Sequence, residues 1–277
     1  MSVAERIIAI DWSGNASASG QRRHIWSADL QGNTIDVSCD RTRLEICRWL
    51  IAERKKSPNM VVGLDFAFSF PISFFQTRGL RSVDQLWREA SEHGEQWMRS
   101  CEPPFWGRPG KKCPATHQEV GFRATDKTIH VLGISPKSPF QIGGAGAVGT
   151  GSIRGFVALE ILRQAGFSIW PFHPISLPLV IEIYPRLLTG PVQKSRHDRR
   201  TEYLRSFEFA WLPETVRLKA ESSEDAFDAL LSGITMKAQA ASFTELTQAT
   251  DPRELLEGKI WDPATSRVHL RPPSPLH

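Results

Sequence analysis

Three stretches of the chain are apolar on successive residues. Residues 6–12 read RIIAIDW, residues 59–68 NMVVGLDFAF and residues 178–185 PLVIEIYP. Runs of this kind suit strands buried on both faces of a sheet. Between the first two lie β-prone segments on either side of Gly32-Asn33, which predict a hairpin of strands two and three within residues 22–39. Helical spacing takes over at 41–56, where Leu44, Cys47, Leu50 and Ile51 precede a basic end of the kind a helix C-terminus favours. Residues 152–166 predict another helix, closed by Gly166. A basic helix starts within 193–207, the last main helix covers 223–241, and a short helix at 252–257 leads into an extended KIWDP.

The stretch 69–149 differs. It is rich in Pro, Gly, Trp and Phe, with one predicted helix at 82–100. It reads as an insertion of about 70–150 carrying loops, some of them functional. The order of strand, hairpin, helix, strand, insertion, helix, strand and helix predicts an α/β fold, a mixed sheet covered by helices. No repeat or linker divides the chain, so one domain over 1–277 is expected.

Composition narrows the function classes. The 277 residues are 40% apolar and 23% charged, the balance of a soluble globular protein. A net charge of +4 permits a nucleic-acid or phosphate-rich partner without demanding one. The four cysteines show no disulfide pattern, and the apolar run before Asp11 is too short for a signal-peptide core. No stretch approaches the length of a membrane span. A cytoplasmic protein with no membrane partner is expected.

Asp11, Asp65 and Glu182 each lie within or at the end of an apolar strand. Carboxylates are costly to bury unless paired or metal-bound. Ligands of open α/β sheets gather at the carboxyl ends of the strands. If the three acids converge there, their repulsion calls for a hard divalent cation, Mg²⁺ or Mn²⁺. Local roles stand beside this: Asp11 capping the turn DWSG, Asp65 pairing with an arginine, Glu182 pointing outward. The last helix adds two acids. Ser222 and Asp225 have capping-box spacing. Asp228 lies one turn on along the same face, beside core-like Leu230, Leu231 and Ile234.

The motifs AIDWSG, GLDFAF and DAFDALLSG resemble the acidic positions of the Holliday-junction-resolvase branch of the ribonuclease H-like superfamily. In their order, GLDFAFSFP, VGTGSIRG, WPF, EIYPRLL and DAFDALLSG resemble a family of uncharacterised predicted nucleases of that fold. The resemblance implies a ribonuclease H-like mixed five-stranded sheet flanked by helices, with a long insertion after the fourth strand. It implies metal-binding acids at Asp11, Asp65 and Asp228, with Asp225 helping, and Glu182 joining from the Glu-x-x-Pro stretch. It also implies Mg²⁺- or Mn²⁺-dependent hydrolysis of phosphodiester bonds in DNA or RNA. In a two-metal site one ion activates water and the other stabilises the leaving oxygen.

Other motifs carry less. Gly144-x-Gly146-x-x-Gly149 has neither the preceding strand nor the following acid of a dinucleotide fingerprint. It reads either as a flexible loop or as a phosphate cradle at a helix start, with Ser152 and Arg154 as substrate contacts. KSRHDRR, with Lys194 and Arg196, reads either as a solvated face or as a grip on a phosphate backbone. Cys101, Cys113 and His117 lack a clear fourth zinc ligand. Three competing functions remain. One is an ATP-dependent phosphotransferase of the actin and sugar-kinase type, which normally needs two copies of the core. The others are a non-catalytic nucleic-acid-binding module and a hydrolase of another phosphorylated substrate.

Overall fold

The computed structural model describes residues 3–131 and 133–263. Its centre is a six-stranded mixed sheet of β1 (Arg6–Asp11), β2 (Trp26–Gln31), β3 (Thr34–Ser38), β4 (Met60–Leu64), β5 (Ser168–Ile169) and β6 (Leu179–Glu182), in the order β3-β2-β1-β4-β6-β5. β1 pairs antiparallel with β2, and β2 antiparallel with β3. β1 and β4, β4 and β6, and β5 and β6 run parallel. The sheet has six strands rather than five because the two-residue β5, in a stretch broken by prolines, pairs with β6 at the edge.

The apolar runs are explained by two cores. Successive residues of a strand face opposite sides. Ile8, Ile10, Val62, Leu64 and Val180 therefore feed one core, and Ile7, Ala9, Val61, Leu179 and Ile181 feed the other.

The first core is covered by α2 (Arg43–Lys56), α3 (Ile72–Arg78), α4 (Val83–Ser100) and α7 (Gly149–Gln164). Much of its bulk is aromatic. Phe66 and Phe68 follow β4, and Phe70, Phe74, Trp87 and Phe140 come from the stretch read as a loop-bearing insertion. That stretch thus fills one face of the sheet. It also carries the single turns α5 (His117–Val120) and α6 (Ala124–Thr128).

The second core is covered by α10 (Glu214–Ser222) and α11 (Glu224–Ala238), joined by α8 (Pro185–Leu188) and α9 (His197–Leu204). α11 lies close on the sheet. A Cβ at Gly63 of β4 would come within 2.7 Å of the Met236 sulfur, and one at Gly233 within 2.6 Å of Leu30. Glycine at both positions permits this approach. α1 (Ala18–His24) follows β1, and α12 (Glu254–Glu257) leads a closing strap, where Ile260 pairs with Glu182.

The helices α1, α3 and α10 lie outside the sequence reading, which also starts α11 differently. Its N-cap is Ser223, whose hydroxyl accepts from the Ala226 N–H at 3.2 Å, and Ser222 ends α10. Among the described residues, no helix is long and apolar enough to cross a membrane.

Candidate functional site

Two acids leave the sheet side by side. Asp11 is the last residue of β1, and Asp65 follows the end of the parallel neighbour β4. The Asp65 N–H donates to the Ile10 carbonyl at 3.1 Å, which continues the ladder and sets Asp65 beside Asp11. A third comes from α11. Its first turn holds Glu224 and Asp225, and the next places Asp228 on the buried face. Asp228 is only 4% exposed.

The three carboxyls sense one another. Burial pushes the Asp11 carboxyl well above the ordinary range, and the charges of Asp65, Asp228 and Asp225 push it further. Asp65 is raised to about 8, first by burial and then by Asp228, although Lys194 and a hydrogen bond with Asp11 pull it down. Burial and the repulsion between neighbouring carboxylates both favour the protonated form, so the two acids resist ionising together. Asp228 is raised to about 6 by burial, against the pull of Lys194.

Lys194 is the counter-charge common to all three. Its ammonium donates to Asp228 Oδ2, while Asp228 Oδ1 is buried with no partner. The sequence names Lys194 as a substrate contact, and the structure places it inside the acid cluster. Tyr184 is also close, its hydroxyl raised by burial and by Asp65. The charge of Arg186 reaches Asp228. Neither Tyr184 nor Arg186 stood out in the sequence.

Glu182 is engaged elsewhere. Both of its oxygens accept from the Arg123 fork, at 2.6 and 2.7 Å, and one also accepts from the Phe68 N–H at 2.8 Å. Arg123 in turn grips Asp126 at 2.8 and 3.1 Å. Burial opposes the Arg123 charge, but Asp126 and Glu182 raise its pKa on balance. The three side chains are at most 3% exposed. Glu182 thus belongs by its hydrogen bonds to a sealed ion network, while its charge still reaches the cluster and raises Asp65. A cleft of about 230 Å³ borders both, with Asp65, Glu182, Arg123 and Tyr184 in its walls.

The remaining sequence candidates divide. Asp225 pairs with His24 Nδ1 at 3.0 Å, half-exposed beside the cluster. Arg154 binds Glu95 at 2.7 and 3.0 Å and donates to the Gly14 carbonyl. The Ser152 hydroxyl is buried and donates to Val148 O at 3.2 Å, inside its own helix. Arg196 forks onto Asp198 at the surface. His117 packs edge-on against Trp106, Cys101 is buried and Cys113 is exposed.

Asp11, Asp65 and Asp228 offer oxygen donors alone, as a hard divalent cation prefers. The orphaned Asp228 Oδ1 fits the same chemistry. As the side chains stand, no three His, Cys, Asp or Glu residues among those described form a group that could hold a metal ion. Lys194, with Arg186 reaching Asp228, supplies positive charge at the cluster. No family model, curated protein or solved structure matches the chain.

Proposed function

We propose that the protein is a cytoplasmic, ribonuclease H-like hydrolase that cuts phosphodiester bonds in nucleic acid with Mg²⁺ or Mn²⁺. The observation that carries this reading is the meeting of Asp11, Asp65 and Asp228, each pushed above the ordinary carboxyl range. Carboxyls gathered from two strand ends and a helix are poorly stabilised without cations, and such clusters mark functional sites. Their origins also match what the resemblance implies: strand one, strand four and the last main helix.

In this reading Asp11, Asp65 and Asp228 hold the cation. Bound there, it supplies an activated water and a counter-charge for the leaving oxygen. The chain's own groups do the rest. Lys194 keeps Asp228 ionised while the site is free of metal. Arg123 fixes Glu182 on the cleft wall, so that its charge stays off the substrate. Asp225 adds negative charge at the rim.

A second reading is favoured by Lys194. An ammonium already sits on Asp228, so the cluster could be neutralised permanently, leaving a nucleic-acid-binding module without turnover. Cleavage of single- and double-stranded DNA and RNA separates the two. The hydrolase reading expects Mg²⁺- or Mn²⁺-dependent cleavage of at least one, lost in Asp228→Asn. Affinity without metal and without turnover supports the module instead.

A further inference from the structure

A second cleft, of about 360 Å³, opens between α2 and α7. It lies across the β1–α1 loop from the acid cluster. Gly14 of this loop borders the cleft at Asp65, and two arginines hold the loop from the other side. Arg43, the first residue of α2, donates through Nη1 to the carbonyls of Ser13 and Asn15 at 2.9 and 2.8 Å. Arg154 of α7 donates to the carbonyl of Gly14 between them. A Cβ at Gly14 would lie 2.7 Å from the Gly151 nitrogen, so the loop is also pinned against the start of α7.

Both guanidiniums line the second cleft. Glu95 takes two donors of Arg154, but among the described residues Nε and Nη2 of Arg43 have no acceptor. Burial and the charge of Arg154 lower the Arg43 pKa to about 10, with the charge of Glu95 opposing them. Leu44, Cys47, Val157 and Ala158 make one side of the wall apolar, while Gln21, Thr42 and the Glu95 carboxylate that holds Arg154 complete it. A cleft of this size, apolar along one side and cationic at one end, has the character of a small-ligand site. A guanidinium edge suits phosphate, which it binds through paired N–H groups.

We propose that this cleft binds a phosphate ester with a flat body, of the nucleotide class, its phosphate on Nε and Nη2 of Arg43 and its body against Leu44 and Val157. The choice of a nucleotide rests on the phosphodiesterase reading. The site itself needs neither metal nor turnover. Ligand here presses on the loop that follows Asp11, which links the two clefts through residues 13–15.

The test is calorimetric titration of the metal-free full chain with adenosine monophosphate and, separately, inorganic phosphate. The proposal expects saturable nucleotide binding, at least about tenfold tighter than phosphate and weakened about tenfold or more by Arg43→Gln. Because Arg43 also holds the loop, Leu44→Glu provides a second probe. Leu44 is 52% exposed, so this change leaves folding intact and sets a carboxylate where the ligand's body would lie, beside the Arg43 that takes its phosphate. Asp65→Asn is expected to leave binding unchanged. No binding, binding insensitive to Leu44→Glu, or phosphate binding as tightly as nucleotide overturns the proposal. Loss of binding in Asp65→Asn also overturns it, by moving the ligand to the acid cluster. A failure to cleave nucleic acid overturns only the hydrolase reading.

Discussion

Lys194 places its ammonium on Asp228 Oδ2, and the other oxygen of that carboxylate is buried and unpaired among the described residues. One carboxylate is thus half satisfied by a cation from the chain itself. Lys194→Met removes that cation. Metal-free stability is expected to fall by about 1–3 kcal/mol, the cost of stranding a buried polar partner. Mn²⁺ affinity is expected to rise, because Asp228 is released. Thermal melts with and without Mn²⁺ read both effects, and unchanged metal-free stability contradicts the account.

The acid pair predicts a pH dependence of unusual sign. Asp65 rises from its ordinary 3.8 to about 8 on folding. Between those values the folded state holds more protons than the unfolded one, so stability falls as pH rises. The contribution is fully present below the unfolded value and is lost as pH climbs through the folded one. Denaturant melts in chelator between pH 4 and pH 8 should therefore show declining stability. Asp65→Asn should flatten that decline and be about 1 kcal/mol or more stabler at the alkaline end, as trimming a strained site often is. A parallel decline in the variant contradicts a raised Asp65 carboxyl.

Glu182 gives the opposite expectation. Glu182→Gln leaves Arg123 paired with Asp126 alone and weakens two buried charge-assisted hydrogen bonds, a loss of about 1–3 kcal/mol. Mn²⁺ affinity should stay at the native value in the folded fraction. A variant with native stability that loses cation binding would move Glu182 into the carboxyl cluster.

Ser223 is expected to act locally. Ser223→Ala removes the N-cap of α11 and should cost about 1 kcal/mol in chemical denaturation. Ser222→Ala should cost less, because the Ser222 hydroxyl only returns to the Lys219 carbonyl one turn back. Equal losses would argue against Ser223 as the cap.

Strand positions were legible because burial on both faces forces runs such as RIIAID and LVIE to be apolar on every residue. The last acids of those runs were legible for the same reason, since a carboxyl after such a run must emerge at a strand end. What the acid does there depends on distant partners. Asp65 meets Asp11 and Asp228, whereas Glu182 meets Arg123, 59 residues away in an irregular stretch with no period to read. Lys194 was visible as a charge, but its direction depends on how α9 returns to α11. The aromatic core beyond the strand at 59–68 and the helix at 82–100 was hidden, because the Pro- and Gly-rich chain around Phe70, Phe105 and Phe140 packs its rings without helical or strand periodicity.

The central claim is that Asp11, Asp65 and Asp228 form a divalent-cation site. Calorimetric titration of Mn²⁺ into the metal-free protein tests it most directly, alongside Asp65→Asn, Asp228→Asn and Glu182→Gln. Saturable binding in the native chain and in Glu182→Gln, with loss in Asp65→Asn and Asp228→Asn, is the predicted result. Absence of binding in the native chain, or equal binding by Asp228→Asn, contradicts it.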